Sequence, residues 1–281
     1  MQTWMDPSAL QAESLRRRAR GERVGFVPTM GFLHRGHTSL MDIARARCDW
    51  LVVSIFVNPL QFGPAEDLDQ YPRDPEGDAR KCREHGVDAI LKPSDLYAPG
   101  HSTRVNVAGI SEGLCGADRP THFEGVTTVV ARLFGLVQPH VAVFGEKDFQ
   151  QLATIRRMVR DLAMPIEVVG GPLVRDADGI ALSSRNAYLS PGERSRACSI
   201  HRALRAMAGA SSNGERDVAT LLEIGRAQLD VDELDYLEIR TEDDLAPLTH
   251  LDDQPARAFA AARVGRPRLI DNLQLPIAET P

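Results

Sequence analysis

Up to about residue 170, continuous apolar segments alternate with segments whose apolar residues recur every three to four positions. Residues 24–27 and the Val- and Ile-rich residues 50–57 have the character of strands buried on both faces, and residues 36–47 between them have the period of a helix. Further strands are predicted at residues 89–91, 141–144 and 166–169, and further helices at residues 7–20, 74–85, 125–137 and 150–162. This alternation predicts a parallel sheet with helices on both faces.

The pattern changes after Leu173. A turn at residues 176–179 and the polar run SSRN lead into the last third of the chain. Helices are predicted there at residues 191–208 and 216–229, and strands at residues 236–240, 257–264 and 269–272. We therefore predict two domains: an α/β domain with a Rossmann-like parallel sheet over residues 1–173, and a smaller α+β lid domain over residues 174–281.

The composition excludes several classes of protein. Of the 281 residues 43% are hydrophobic, which is ordinary for a globular chain and excludes disorder along its whole length. A net charge of −6 leaves no basic field for a nucleic acid partner. The longest apolar run, residues 50–57, is shorter than the ~18 residues of a membrane span. Four widely spaced cysteines without a CxxC pair indicate reduced thiols and hence a cytoplasmic protein.

The segment VGFVPTMGFLHRGHTSL, residues 24–40, leads from a predicted strand through a turn into a predicted helix. It has neither the GxxxxGKS/T motif of a P-loop nor the GxGxxG motif of a dinucleotide fold. His34 and His37 are three residues apart at the helix start, which places both imidazoles on one side, and Gly36 between them lets a ligand approach the backbone. Such a pair could bind phosphate oxygens. Taken alone, it also fits a surface histidine pair beside a turn.

Residues 25–40 resemble the HIGH signature of the nucleotidyltransferase superfamily, and the string PTMGFLHRGH is similar to the pantothenate synthetase (pantoate–β-alanine ligase) family. Further similar segments follow in order along nearly the whole chain: residues 54–74, 119–134, FGEKDFQQL (144–152), DGIALSSRNAYLS (178–190) and RLIDN (268–272). The resemblance implies a homodimeric ligase that condenses pantoate with β-alanine. ATP, accompanied by Mg²⁺, would be consumed through a pantoyl adenylate, with AMP and pyrophosphate as products.

The resemblance also implies which residues form the site. The expected ATP-binding residues are Met30, Gly31, Phe32, Leu33, His34, Arg35, Gly36, His37, Gly145, Glu146, Lys147, Asp148, Val174, Leu182, Ser183, Ser184 and Arg185. Among them His34, His37, Lys147 and Arg185 are expected to be catalytic, because they supply donors or positive charge to phosphate oxygens. Two alternatives do not involve a ligand. Asp148 could be a helix N-cap with Lys147 in solvent, and residues 183–186 could be a polar turn.

Gln61, Gln151 and Asn58 are expected to bind pantoate. A neutral amide can bond a hydroxyl and a carboxylate without locking the anion in an ion pair; either glutamine could instead satisfy loop backbone. Three acidic residues, Glu66, Asp67 and Asp69, could suggest a metal site. We interpret them as a hydrated loop and predict no protein metal site, because Mg²⁺ that arrives with ATP keeps water and phosphate ligands.

Two other functions fit the HxGH motif. A nucleotidyltransferase that adds AMP or CMP to a phosphorylated acceptor would share it, but Gln61 and Gln151 suit a carboxylic acid better than an acceptor phosphate. A nucleotide-binding regulatory protein without turnover would not need both histidines together with Lys147 and Arg185.

Overall fold

The computed structural model describes residues 1–63 and 68–276, and within these ranges the chain forms a six-stranded parallel sheet and a three-stranded antiparallel sheet. The strands of the parallel sheet are β1 (Gln2–Trp4), β2 (Val24–Thr29), β3 (Trp50–Ile55), β4 (Ala89–Leu91), β5 (Val141–Gly145) and β6 (Glu167–Gly171). Those of the antiparallel sheet are β7 (Glu233–Thr241), β8 (Ala256–Arg263) and β9 (Arg268–Leu275). The spatial orders are β1-β4-β3-β2-β5-β6 and β7-β8-β9.

Helices connect these strands. They are α1 (Pro7–Ala19), α2 (Arg35–Arg45), α3 (Pro75–Glu84), α4 (Cys115–Asp118), α5 (His122–Val137), α6 (Phe149–Asp161), α7 (Pro191–Ser212) and α8 (Val218–Arg226), with 3₁₀ turns at Pro59–Gln61, Glu146–Asp148 and Ser184–Tyr188. The α/β prediction is confirmed, since each predicted helix and strand corresponds to one of these elements. No helix among the described residues is long and apolar enough to cross a membrane.

Some element ends differ from the predictions. Helix α7 continues to Ser212, past the predicted end at residue 208, because Ser211 is fully buried and its hydroxyl donates a hydrogen bond to the carbonyl of Pro276 at 2.6 Å. Strand β1 was not predicted. It has only three residues, too few for a periodic pattern, and it forms by pairing with β4, with Gln2 opposite Ala89. Glu66 and Asp67, considered above as metal ligands, lie outside the described residues.

The parallel sheet is buried on both faces. Phe26 of β2 and Val52 of β3 pack in one cluster with residues of α1 and α5, whereas Val27 and Val53 pack in another with residues of α2. Successive side chains of a strand point to opposite faces, so both strands need continuous apolar sequence. Strand β2 pairs with β3 on one side and β5 on the other. The chain therefore leaves β2 and β5 in different directions, which opens a crevice at their carboxyl ends.

One face of the antiparallel sheet forms a separate apolar cluster, whereas Phe259 of β8 packs in a cluster of the parallel sheet. Ala258, Ala260 and Ala262 of β8 pack in this separate cluster with Leu204 and Met207 of α7. Their small side chains let the helix lie close to the sheet. All residues that form this cluster follow position 179, and the boundary between residues 173 and 174 stays a prediction.

Helix α5 touches the 3₁₀ turn Pro59–Gln61 so closely that Gly125 has no room for a side chain. A Cβ at this position would lie 2.1 Å from the carbonyl oxygen of Leu60. Gly135, on the same helix, would place a Cβ where nothing lies within 4 Å.

These two glycines form a matched pair for a stability test. Gly125→Ala is expected to lower the free energy of unfolding by about 2 kcal/mol, because backbone must move to admit the methyl group. Gly135→Ala is expected to raise it by roughly 0.5–1 kcal/mol, since alanine is the better helix former. Urea titrations of the two variants measure both changes, and equal effects would contradict the packing described here.

Candidate active site

A cleft of about 1150 Å³ lies beyond the carboxyl ends of β2 and β5. Its lining includes the starts of α2 and α6, residues 180–186, and residues of α7 and β9. The expected site residues that line it are Met30, His34, Gly36, His37, Gln61, Gly145, Lys147, Asp148, Gln151, Val174, Leu182, Ser183, Ser184 and Arg185. The fold thus brings side chains from both halves of the chain to one cavity.

The other expected site residues do not line the cleft: Gly31, Phe32, Leu33, Arg35, Glu146 and Asn58. Leu33 is 4% exposed and belongs to the core below α2. Arg35 is exposed and pairs with Asp176, with 2.7 Å between Nη2 and Oδ1. For these residues, the placement of the side chains gives no support to the expected ligand contacts.

His34 and His37 interlock at the start of α2. His34 is the N-cap; its Nδ1 accepts a hydrogen bond from the backbone N–H of Gly36 at 3.2 Å. The Nδ1 of His37 accepts one from the backbone N–H of His34 at 3.3 Å, and the ring centroids are 4.1 Å apart. Since each Nδ1 is an acceptor, each neutral ring carries its proton on Nε2 and retains one N–H donor for a ligand. A Cβ at Gly36 would lie 2.9 Å from His34 Cε1, so glycine is needed for this arrangement.

The environment keeps both rings neutral. Burial lowers the pKa of His34 from 6.5 to about 4, with a smaller contribution from the positive charge of Lys147. Burial is also the main reason that the pKa of His37 falls to about 3, followed by His34 and Lys147. Loss of water disfavours the imidazolium form. The positive charge of Lys147 thus lies close enough to disfavour protonation of both rings.

A buried carboxylate supports the turn before this histidine pair. Asp78 of α3 is 2% exposed, and its two oxygens accept hydrogen bonds from the backbone N–H groups of Phe32 at 2.9 Å and Leu33 at 2.7 Å. Gly31 (φ 84°) and Phe32 (φ 50°) are both left-handed, which costs a non-glycine residue roughly 1–2 kcal/mol. Asp78 holds this turn and thereby sets where α2 begins. Sequence reasoning missed it, because an aspartate in the first turn of a helix is ordinary.

Lys147 and Asp148 lie in the 3₁₀ turn Glu146–Asp148, which connects β5 to α6. Asp148 precedes α6 but makes no side-chain cap hydrogen bond. The Lys147 side chain is only 21% exposed, and its Nζ lies 3.7 Å from Asp148 Oδ1. The alternative of a capping Asp148 with a solvated lysine therefore does not describe this turn.

Residues 174–182 form a short hairpin that carries the serines and Arg185 to the cleft. The backbone N–H of Leu182 donates to the carbonyl of Val174 at 3.0 Å, and Ser183 Oγ accepts from the backbone N–H of Arg185 at 3.3 Å. A Cβ at Gly36 would lie 3.8 Å from Leu182 Cβ, so the hairpin reaches the start of α2. The turn predicted at residues 176–179 is confirmed, with Gly179 at φ 90°.

The predicted pantoate residues are placed differently from one another. Gln61 lies at the cleft, where its Nε2 is 3.0 Å from Met30 Sδ, and Arg119 and His122 both bond its backbone carbonyl. Gln151 lines the cleft in the first turn of α6. Asn58 is 1% exposed and holds the 3₁₀ turn that carries Gln61.

The amide of Asn58 is occupied by the protein. Its Oδ1 accepts from Tyr97 Oη at 2.8 Å, and its Nδ2 donates to the carbonyl of Gly125 at 3.0 Å and to Gln61 Oε1 at 3.2 Å. These contacts place Asn58 behind Gln61, and its direct contact with pantoate stays a prediction. The sequence alone showed only that Asn58 follows a strand.

Comparison with known proteins agrees with this architecture. The sequence profile described as Pantoate-beta-alanine ligase matches residues 2–274. The chain belongs to the pantoate–β-alanine ligase family. It is 53% identical to the pantothenate synthetase of Anaeromyxobacter dehalogenans, with 96% of this chain and 97% of that protein covered.

Two solved structures are similar over almost their whole length. The pantothenate synthetase of Thermus thermophilus is 50% identical with a TM-score of 0.92, and the match covers 98% of this chain and 99% of that one. The pantoate–β-alanine ligase of Francisella tularensis, solved in complex with β-γ ATP and β-alanine, is 30% identical with a TM-score of 0.79 over 98% and 97% of the two chains.

The protonation of the histidine pair can be tested directly. Both rings are expected to be neutral Nε2–H tautomers at pH 7 and to stay neutral to about pH 5, because their pKa values lie at about 4 and about 3. Nitrogen-15 NMR of the imidazoles reports the tautomer and the titration. A ring that takes up its proton near pH 6.5 would contradict the assignment.

The lowered pKa values of His34 and His37 also make the free energy of unfolding depend on pH. Below about pH 6.5 the unfolded chain binds protons that the folded rings do not, so the pair costs stability as the pH falls toward 4. His37→Gln is therefore expected to lose about 1 kcal/mol less free energy of unfolding than the wild type between pH 7 and pH 5, after allowance for the partial exposure of the ring. Urea titrations at the two pH values measure the difference, and an equal loss in both proteins would contradict it.

Proposed function

We propose that this protein condenses pantoate with β-alanine in an ATP-dependent reaction, giving pantothenate, AMP and pyrophosphate. The observation that carries the proposal is the convergence of His34, His37, Lys147 and residues 183–185 on one cleft, in a chain that belongs to the pantoate–β-alanine ligase family. The Francisella relative, solved in complex with β-γ ATP and β-alanine, supports ATP and β-alanine as substrates of this chain.

The chemistry requires activation of the acid. At neutral pH a carboxylate has no adequate leaving group and an amine is protonated, so the two do not condense in water. We propose that the pantoate carboxylate attacks the α-phosphorus of ATP in line. A carboxyl oxygen–phosphorus bond forms as the bond to pyrophosphate breaks, and the product is pantoyl adenylate. The β-alanine nitrogen then attacks the acyl carbon, AMP leaves, and the amine loses its extra proton.

Such a reaction needs no protein nucleophile. It needs positioning and donors for the negative charge that moves onto phosphate oxygens. His34 and His37 offer Nε2–H donors that stay neutral, Lys147 offers a mobile cation, and Arg185 offers a planar fork. Ser183 and Ser184 add hydroxyl donors beside Arg185. We assign these residues, with the backbone of residues 145–148 and Val174, to the ATP site.

Gln61 and Gln151 are assigned to pantoate. Their neutral amides can bond its hydroxyls and carboxylate without pairing with the anion that must attack. Asn58 supports Gln61 from behind, through the 3.2 Å contact between Nδ2 and Oε1. This division places pantoate at the 3₁₀ turn Pro59–Gln61 and the start of α6, next to the proposed position of the α-phosphate.

We treat Mg²⁺ as part of the substrate MgATP. Residues 1–63 and 68–276 contain no group of three or more His, Cys, Asp or Glu that could hold a metal ion. Mg²⁺ that arrives with ATP commonly keeps phosphate and water ligands.

Three further statements belong to the proposal. The chain would divide into domains at residues 173 and 174, with the second acting as a lid. It would act as a homodimer, which rests on the family resemblance alone. It would work in the cytoplasm, where its free thiols, Cys48, Cys82, Cys115 and Cys198, would stay reduced.

Product analysis tests the function. Incubation with ATP, Mg²⁺, pantoate and β-alanine is expected to give pantothenate and AMP in equal amounts, identified by mass spectrometry. Without β-alanine, pantoate-dependent exchange of labelled pyrophosphate into ATP is expected, since adenylation is reversible. Accumulation of ADP and phosphate would reject an adenylate, and a stable nucleotide-containing product would favour a nucleotidyltransferase.

Lys147→Ala is expected to slow pyrophosphate exchange at least ~100-fold, the scale of losing one oriented donor at developing charge. Lys92→Ala is the matched control, because Lys92 follows β4 and lies away from the cleft. The control should exchange at the wild-type rate. A similar rate in Lys147→Ala would remove this lysine from the reaction.

A further inference from the structure

The last strand of the antiparallel sheet contacts the backbone of the lysine turn. Asn272 of β9 is 3% exposed, and its Nδ2 donates hydrogen bonds to the carbonyls of Glu146 and Lys147, both at 2.9 Å. The two carbonyls belong to the 3₁₀ turn Glu146–Asp148, which lies between β5 and α6. One buried amide therefore holds the backbone on which the Lys147 side chain stands.

The orientation of this amide is set by a neighbouring cation. Arg257 of β8 donates from Nη1 to Asn272 Oδ1 at 2.7 Å, so the oxygen faces the arginine and the nitrogen faces the turn. Arg257 is itself held: its Nε donates to Glu242 Oε1 at 2.9 Å, and its guanidinium lies 4.0 Å from the ring centroid of Phe149. Phe149 is the first residue of α6. The contacts thus form a connected, buried network around the base of the turn.

Asp271, the residue before Asn272 on β9, binds the hairpin of residues 174–182 through Arg175. Neighbouring side chains of a strand point in opposite directions. Asp271 makes a bidentate pair with Arg175 of the hairpin, at 2.6 Å and 2.9 Å, while Asn272 holds the lysine turn. Two adjacent residues of β9 therefore contact the lysine turn and the hairpin that precedes Arg185.

We infer that Asn272 is a positioning residue for Lys147, and that through it the antiparallel sheet sets the place of the lysine in the cleft. The inference rests on the proposed function. A lysine side chain has four rotatable bonds, so its charge can be oriented only as well as its Cα is held. The side chain of Asn272 is not expected to touch the substrates; it acts through the turn.

Asn272→Asp tests this role with the smallest change of shape. The carboxylate can still accept from Arg257, but it presents an oxygen instead of two N–H donors to the carbonyls of Glu146 and Lys147. The turn should shift, and kcat for pantoate-dependent pyrophosphate exchange is expected to fall about 10- to 100-fold, the cost of a misplaced catalytic group. The KM for pantoate should stay at its wild-type value. Gln274→Asp adds the same charge at an exposed position of β9 and should keep the wild-type rate.

A double-variant cycle separates positioning from general loss of structure. If Asn272 acts through Lys147, then Asn272→Asp should cause no further loss in a Lys147→Ala background. A loss of the same size in both backgrounds would overturn the inference, as would a wild-type kcat in the single variant. Asn272→Ala removes the same donors without adding charge, and the same criteria apply to it if the aspartate variant does not fold. If the wild-type protein itself shows no pantoate-dependent exchange, the proposed function fails instead.

Discussion

The arrangement of the cleft depends on hydrogen bonds between β9 and two loops that lie far away in sequence. Asp271 pairs with Arg175, and Asn272 donates hydrogen bonds to the carbonyls of Glu146 and Lys147. Both residues of β9 are buried. Buried polar groups are costly unless they are fully paired, so these contacts favour one relative placement of the loops over others. These buried polar contacts join the two sheets in addition to the apolar packing between Phe259 and Phe149.

Within the cleft, neutral and charged donors are separated. His34 and His37 use their Nδ1 atoms to organise the start of α2, and burial keeps both rings uncharged. Two imidazolium ions 4.1 Å apart would repel each other and Lys147. Neutral rings avoid this cost and still offer one N–H each. Positive charge is then left to Lys147 and Arg185, which both line the cavity.

Close backbone approach is a second constraint on the site. Gly36 makes room for the His34 ring, and Gly125 lets α5 lie against the carbonyl of Leu60. The 3₁₀ turn that carries Gln61 is thereby held between α5, Asn58 and the side chains of Arg119 and His122. Rigid support of this kind keeps a short polar side chain in a defined place.

The amino-acid pattern alone predicts the alternation of strands and helices, the change of pattern after Leu173, and the chemical character of the HxGH, GEKD and SSR motifs. Continuous apolar strands and helical periods are local properties, and so are the donors that a motif contains. The family resemblance added the ligase chemistry and a set of expected site residues, most of which line the cleft. Strand β1 was missed because three residues carry no periodic signal. The tertiary structure shows which of the expected residues face the cavity and which contacts hold them. It places Asn58 behind Gln61 and Arg35 on the surface, and it reveals Asp78, Arg257 and Asn272 as supporting residues.

These three supporting residues are ordinary polar residues in helix or strand sequence. Their importance comes from partners 46, 15 and 125 positions away, respectively. A pattern of neighbours along the chain cannot show such pairings, because they exist only once distant parts of the chain have folded together.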